Sequence, residues 1–242
     1  MKKTNLKETA GLAIFAAIII VMAAIPQVGY FKIPVLAFDL TLLFIPVLVG
    51  TTLYGRKGGL ILGLVFGLSS LAVAFMRPAT PFDLTFRNPL ISVLPRVIFP
   101  LVYLFMLDIS KKLDTFKLSI VTTIALIIIV TTFIITDMSF VFILFATILT
   151  LANVGFIFYC KKHPEKKLIY VLPTFISIIF HGLFVLSMIA LFYSQTFIDT
   201  FQNQNVVYMV AFVLVSNSFL EAILSSLIIQ LIMPAIKRGR DE

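Results

Sequence analysis

Between Asn88 and Arg96 the chain reads Asn-Pro-Leu-Ile-Ser-Val-Leu-Pro-Arg, two prolines and a permanently charged guanidinium where an apolar stretch begins. An arginine held in hydrocarbon costs from about 3 kcal/mol on insertion scales to more than about 10 in simulations, so it is kept for a ligand or an internal partner. Pro89 suits the first turn of a helix, while Pro95 lacks an amide N–H and frees the carbonyl near Ile91. Arg96 follows Pro89 by seven residues, which places it roughly 10 Å below the helix start. A cation beside disturbed backbone is raw material for a buried polar pocket.

Two later segments offer partners at similar depth. Thr174, Ser177 and His181 recur at i, i+3 and i+7 on one helix face, and Asn217 shares a face of the last apolar stretch with Glu221 and Ser225. Counted from Tyr193, His181 lies about 18 Å deep, and counted from Val206, Asn217 lies about 16 Å deep. An isolated charge there is too costly, so Glu221 pairs with Arg96 or His181, contacts a ligand or water, or serves a proton relay. Catalytic machinery is not in evidence: His163 and His181 are the only histidines, and neither a Ser-His-Asp nor an H-E-x-x-H arrangement appears. The chain does not read as an enzyme and calls for no cofactor. The single cysteine, Cys160, excludes an intrachain disulfide and speaks against a Cys/His metal site.

The elements that must position these residues are membrane spans. The 242 residues are 60% hydrophobic and 12% charged, with a mean hydropathy of +1.11, the composition of an integral membrane protein. Apolar stretches at 10–27, 40–53, 58–76, 89–110, 118–136, 138–160, 168–193 and 206–236 predict eight helices in a single transmembrane domain, 1–242. The first stretch is too long for a signal-peptide core and reads as a retained span. The stretch 40–53 is short, so it is tilted, partly unwound or screened by neighbours. Lys and Arg concentrate in alternate loops, before residue 8 and at 56–57, 111–117, 161–167 and 237–240. That asymmetry places both termini in the cytoplasm of a plasma-membrane protein. The net charge of +8 is accounted for by topology and anionic lipid, without nucleic acid.

Two loops then face outside, 27–39 with Tyr30 and Phe38, and 76–88 with Arg77, Asp83 and Arg87. Aromatics beside cations can hold a ring and a carboxylate, or act as interfacial anchors. Lys32, Arg77 and Arg87 bias the mouth toward anions. In the first span Ala13 and Ala17 form an A-x-x-x-A surface for internal packing or for another subunit, with Ala10, Gly11 and Ala16 adding to it. Gly59, Gly63 and Gly67 recur every four residues in the third and make a groove for a neighbouring helix.

The order of these motifs, the A-x-x-x-A helix, Leu-Thr-Leu-Leu-Phe-Ile-Pro-Val-Leu-Val-Gly at 40–50, the glycine helix, Asn-Pro to Leu-Pro-Arg at 88–96, and Asn217 to Glu221, resembles an S component of an energy-coupling factor (ECF) transporter. The similar branch is the one with folate, pantothenate and cobalamin binders. Residues 8–110 carry the likeness and 168–236 support it. The resemblance implies an all-α membrane protein with a six-helix core, here with an added hairpin over 118–160. It implies an external pocket for a water-soluble vitamin or precursor, for which the basic mouth favours pantothenate or folate; the expected contacts are Arg96, Asn88, His181 and Asn217 with Phe38, Tyr30, Arg77, Arg87 and Glu221. The implied partners are a transmembrane coupling subunit, faced by Ala13 and Ala17, and two ATPases. Phe44 departs from the pattern, since many relatives carry histidine there. The other reading is a stand-alone ion-coupled secondary transporter working through Glu221 and His181.

Overall fold

The computed structural model describes residues 6–25, 27–31, 40–78, 81–112, 169–201 and 205–241, with scattered positions between 120 and 162. Five helical stretches are long and apolar enough to cross a membrane: Leu6–Ala24, Phe44–Met76, Pro89–Lys112, Val171–Phe192 and Val206–Gly239. The chain is a multi-pass membrane protein.

Helix α1 (Leu6–Ala24) is nearly all apolar, and among its residues Ile19 and Ala23 are buried. It packs on α2 (Phe44–Met76), with Gly11 against the ring of Tyr54. The 33 residues of α2 make two arms, because Gly55 breaks the helix at φ +66°, where glycine is favoured. The rings of Phe44 and Phe66 stand 5.7 Å apart, whereas 22 residues of straight helix would separate them by roughly 33 Å. The arms 44–54 and 56–76 therefore fold back on each other, close-packed where Gly50 meets Leu62 and Gly59 meets Thr51. The short arm is screened by its neighbours, with Phe44, Val47, Leu48 and Thr51 fully buried.

Between α1 and α2 lies a small departure from an all-helical chain, an antiparallel pair of β1 (Tyr30–Phe31) and β2 (Leu40–Thr41). Gly29 closes its base by accepting hydrogen bonds from Thr41 Oγ1 at 3.0 Å and Leu42 N at 3.1 Å. A 3-10 turn, Pro81–Arg87, leads into the one-turn helix α3 (Pro89–Ser92) and then α4 (Leu94–Lys112). The glycine groove takes this broken helix: a methyl added at Gly63 would strike the carbonyl oxygen of Arg96, and one at Gly67 would strike Val93. Tyr103 on α4 also shares a 2.8 Å hydrogen bond with Thr52 on the first arm of α2.

The remaining elements are α5 (Val171–Phe192), α6 (Ser194–Phe201), α7 (Val206–Val213), a π-helical turn (Leu214–Ser218) and α8 (Phe219–Asp241). α5 and α8 pack together, joined by Ser226 Oγ donating to the Val171 carbonyl at 3.1 Å. Residues 1–106 and 171–242 form one compact unit. A second unit, Leu107–Tyr170, contains a 3.1 Å hydrogen bond from Ser110 Oγ to the Ile169 carbonyl. The hairpin expected over 118–160, and with it the count of eight spans, falls largely outside the described residues.

Candidate functional site

Pro95 decides the backbone of the site. Its missing N–H leaves the Ile91 carbonyl without a helical donor, and the helix breaks at Val93 between α3 and α4. The Arg96 guanidinium fills the gap: Nη1 donates to Ser92 O at 2.8 Å and to Ile91 O at 3.3 Å. Two aromatic faces flank the charge, Phe66 at 4.9 Å and Phe86 at 5.4 Å from the guanidinium carbon to each ring centre. Weakly hydrated and planar, a guanidinium suits such stacking. Arg96 is 6% exposed, and its Nε is buried without a hydrogen-bond partner.

Arg96 forms part of the wall of a cavity of about 520 Å³, within the range of roughly 300–1,000 Å³ usual for small-molecule sites. His181 stands on the α5 side, edge-on to Phe44 with ring centres 5.0 Å apart and to Phe99 at 5.4 Å, and stacked on Phe66 at 6.3 Å. Its Nε2 is buried and unpartnered. Leaving a buried donor or acceptor unmade costs about 1–3 kcal/mol, so Arg96 Nε and His181 Nε2 are unspent hydrogen-bonding positions beside the cavity.

Across the cavity the π turn widens the helix by one residue, so that Asn217 and its neighbour Ser218 both line the wall, with Glu221 following. Ser218 is accommodated because Gly182 on α5 has no side chain to strike it. Glu221 does not pair with Arg96: Thr41 N donates to its Oε1 at 2.8 Å, which ties β2 to α8 across the cavity's edge. Among the described residues no carboxylate lies within 4.0 Å of the Arg96 guanidinium. The site therefore holds a cation with no acid in direct contact.

Of the residues expected here, Arg96, His181, Asn217, Glu221, Tyr30 and Arg77 all line the same cavity. Arg77 also donates Nη2 to the Ala23 carbonyl at the end of α1. Asn88 and Arg87 are placed differently. Asn88 caps α3, its side-chain oxygen accepting from Leu90 N at 3.0 Å, as the residue before a Pro-initiated helix commonly does. Arg87 donates Nε to the Ala74 carbonyl at 3.1 Å and lies over Phe75, and neither residue is among those lining the cavity. Phe38 and Lys32 lie outside the described residues. Ala13 and Ala17 are exposed on α1, while Gly11, from the same small-residue surface, turns inward to Tyr54.

The sequence reading missed Thr41, Phe82, Asp83 and Phe86 as lining residues, along with Phe44, which it set aside as a lost polar position. Their signal was present only in part: Asp83 stood in the flagged loop, but phenylalanine is too common in this chain to single out three.

A family described as "ECF transporter, substrate-specific component" matches residues 7–147. The chain belongs to that family. In this S component the matched span carries α1, both arms of α2 and the Arg96 wall, whereas His181, Asn217 and Glu221 lie beyond it. A stretch of 76 residues is 42% identical to the pantothenic acid transporter PanT of Lactococcus lactis subsp. cremoris (strain MG1363), covering 31% of this S component and 37% of that relative. The chain thus aligns with little more than a third of the relative's length.

Proposed function

We propose that this S component captures pantothenate from outside the cell and passes it inward by docking on a coupling subunit driven by ATPases. The observation that carries the reading is Arg96, a buried guanidinium in a 520 Å³ cavity with an unpartnered Nε and no carboxylate against it among the described residues. A single carboxylate on the ligand would supply the missing charge and the missing acceptor together. The local identity to a pantothenic acid transporter supports pantothenate over folate. The charge asymmetry of the loops supports a mouth facing outside and cytoplasmic termini. Exposed Ala13 and Ala17 support α1 as the docking surface, since small residues let another helix approach closely in lipid.

The test is ligand binding to the purified protein. Pantothenate should raise the melting temperature in a concentration-dependent way, as any ligand of the native state does. Failure of pantothenate, folate and the other B vitamins alike to bind or stabilise would sink the reading.

A further inference from the structure

Three fully buried rings, Phe44, Phe66 and Phe99, meet edge to face, with centres 5.7 Å apart for Phe44 and Phe66, 5.4 Å for Phe44 and Phe99, and 6.3 Å for Phe66 and Phe99. Phe44 lines the cavity, whereas Phe66 and Phe99 are not among its lining residues. The ring of His181 is in contact with all three, and the Arg96 guanidinium carbon lies 4.9 Å from the centre of Phe66. Phe66 therefore touches both side chains of the wall that keep a buried nitrogen without a partner, Arg96 through Nε and His181 through Nε2. The glycine groove sets its place. Gly63 and Gly67, on the same arm of α2, let the backbone at Arg96 and Val93 come close, and the ring between those glycines meets the guanidinium.

Of the guanidinium nitrogens, Nη1 is the one tied to the Ile91 and Ser92 carbonyls. A planar group held at one nitrogen can turn about that point unless something holds its face. An aromatic ring does so through its negative π face, which an aliphatic side chain of similar bulk lacks. We infer that Phe66 is a positioning residue for substrate binding: from behind the cavity wall it fixes the plane of the Arg96 guanidinium, and so the direction in which that group meets a ligand carboxylate. The same ring seats the His181 imidazole, so both polar groups share one support. The inference rests on the function proposed above, since it takes a carboxylate as the group that Arg96 reads. Loss of the ring is then felt as lost discrimination for the acid.

The experiment measures binding of pantothenate and of its alcohol, pantothenol, which lacks the carboxylate. It uses the intact wild type, Phe66→Leu, Leu62→Ala, and protein carrying pentafluorophenylalanine at position 66. Fluorination keeps a ring in place and reverses the charge of its face, so packing stays while the hold on the cation goes. The wild type should prefer the acid, and both changes at Phe66 should shrink that preference by about 5-fold, within what one cation–π contact is worth. Leu62 is fully buried one turn earlier on the same arm, directed at Gly50. Leu62→Ala should lower the melting temperature and leave the acid-to-alcohol ratio unchanged. A fluorinated protein with the wild-type ratio overturns the inference, also where Phe66→Leu does not fold. So does a Leu62→Ala protein whose ratio shrinks as much as that of Phe66→Leu, because loosening of the arm would then suffice. Equal binding of acid and alcohol by the wild type overturns it too. In each of these cases pantothenate binding by the wild type leaves the proposed function standing; a wild type that binds neither compound removes both.

Discussion

Replacing Arg96 by alanine removes the cation together with the donor that serves the Ile91 and Ser92 carbonyls, and should weaken pantothenate by about 30-fold or more in a titration, since a charge-assisted contact in low dielectric is lost. A well-folded Arg96→Ala protein that binds normally would make the residue structural. Glu221 answers a different question. Glu221→Gln keeps an oxygen for Thr41 N and should melt near the wild type, whereas Glu221→Ala orphans that buried N–H and should lose about 1–3 kcal/mol of stability in a denaturation series. At this scale the polar residues were legible because charge and amide groups are rare in apolar stretches: Arg96, His181, Asn217 and Glu221 announced themselves by type and depth. Their partners were not. Nothing in the residue types says that Glu221 meets a backbone amide 180 positions earlier, or that Phe44, Phe66 and Phe99 enclose His181.

Among the elements, the glycine groove of the second arm of α2 sets how closely α3 and α4 approach, and through them where Arg96 stands. A methyl at Gly63 meets backbone oxygen, which cannot rotate aside as a side chain could. Gly63→Ala should therefore lower both the melting temperature and pantothenate affinity, while Gly239→Ala, with open space around it, should change neither. The four-residue recurrence made that groove readable from sequence, and Pro95 made the break in the fourth span readable, because both rest on local chemistry. The π turn was not readable: Leu-Val-Ser-Asn-Ser is compatible with an ordinary helix, and the close approach of Ser218 to Gly182 joins two distant segments. Asn88, read as a ligand contact, caps α3 at a helix start that Pro89 already marks in the sequence.

For the whole molecule, the prediction concerns the exposed side of α1. Ala13→Trp or Ala17→Trp should leave pantothenate binding intact and abolish uptake in cells that hold the partner subunits; loss of binding instead would mean that this surface packs internally. In liposomes, the chain alone under a proton or sodium gradient should accumulate no pantothenate, and accumulation would favour an ion-coupled carrier. The hydrogen bond from Thr41 to Glu221 has a further consequence at this scale, for the order in which the protein is made. The strand that edges the cavity emerges early in synthesis, yet its anchor belongs to the final helix, so a ribosome must finish nearly the whole chain before that edge can close. A chain cut short before residue 221 would insert its early spans and leave the Thr41 amide without its acceptor, which makes that closure a mark of completed assembly.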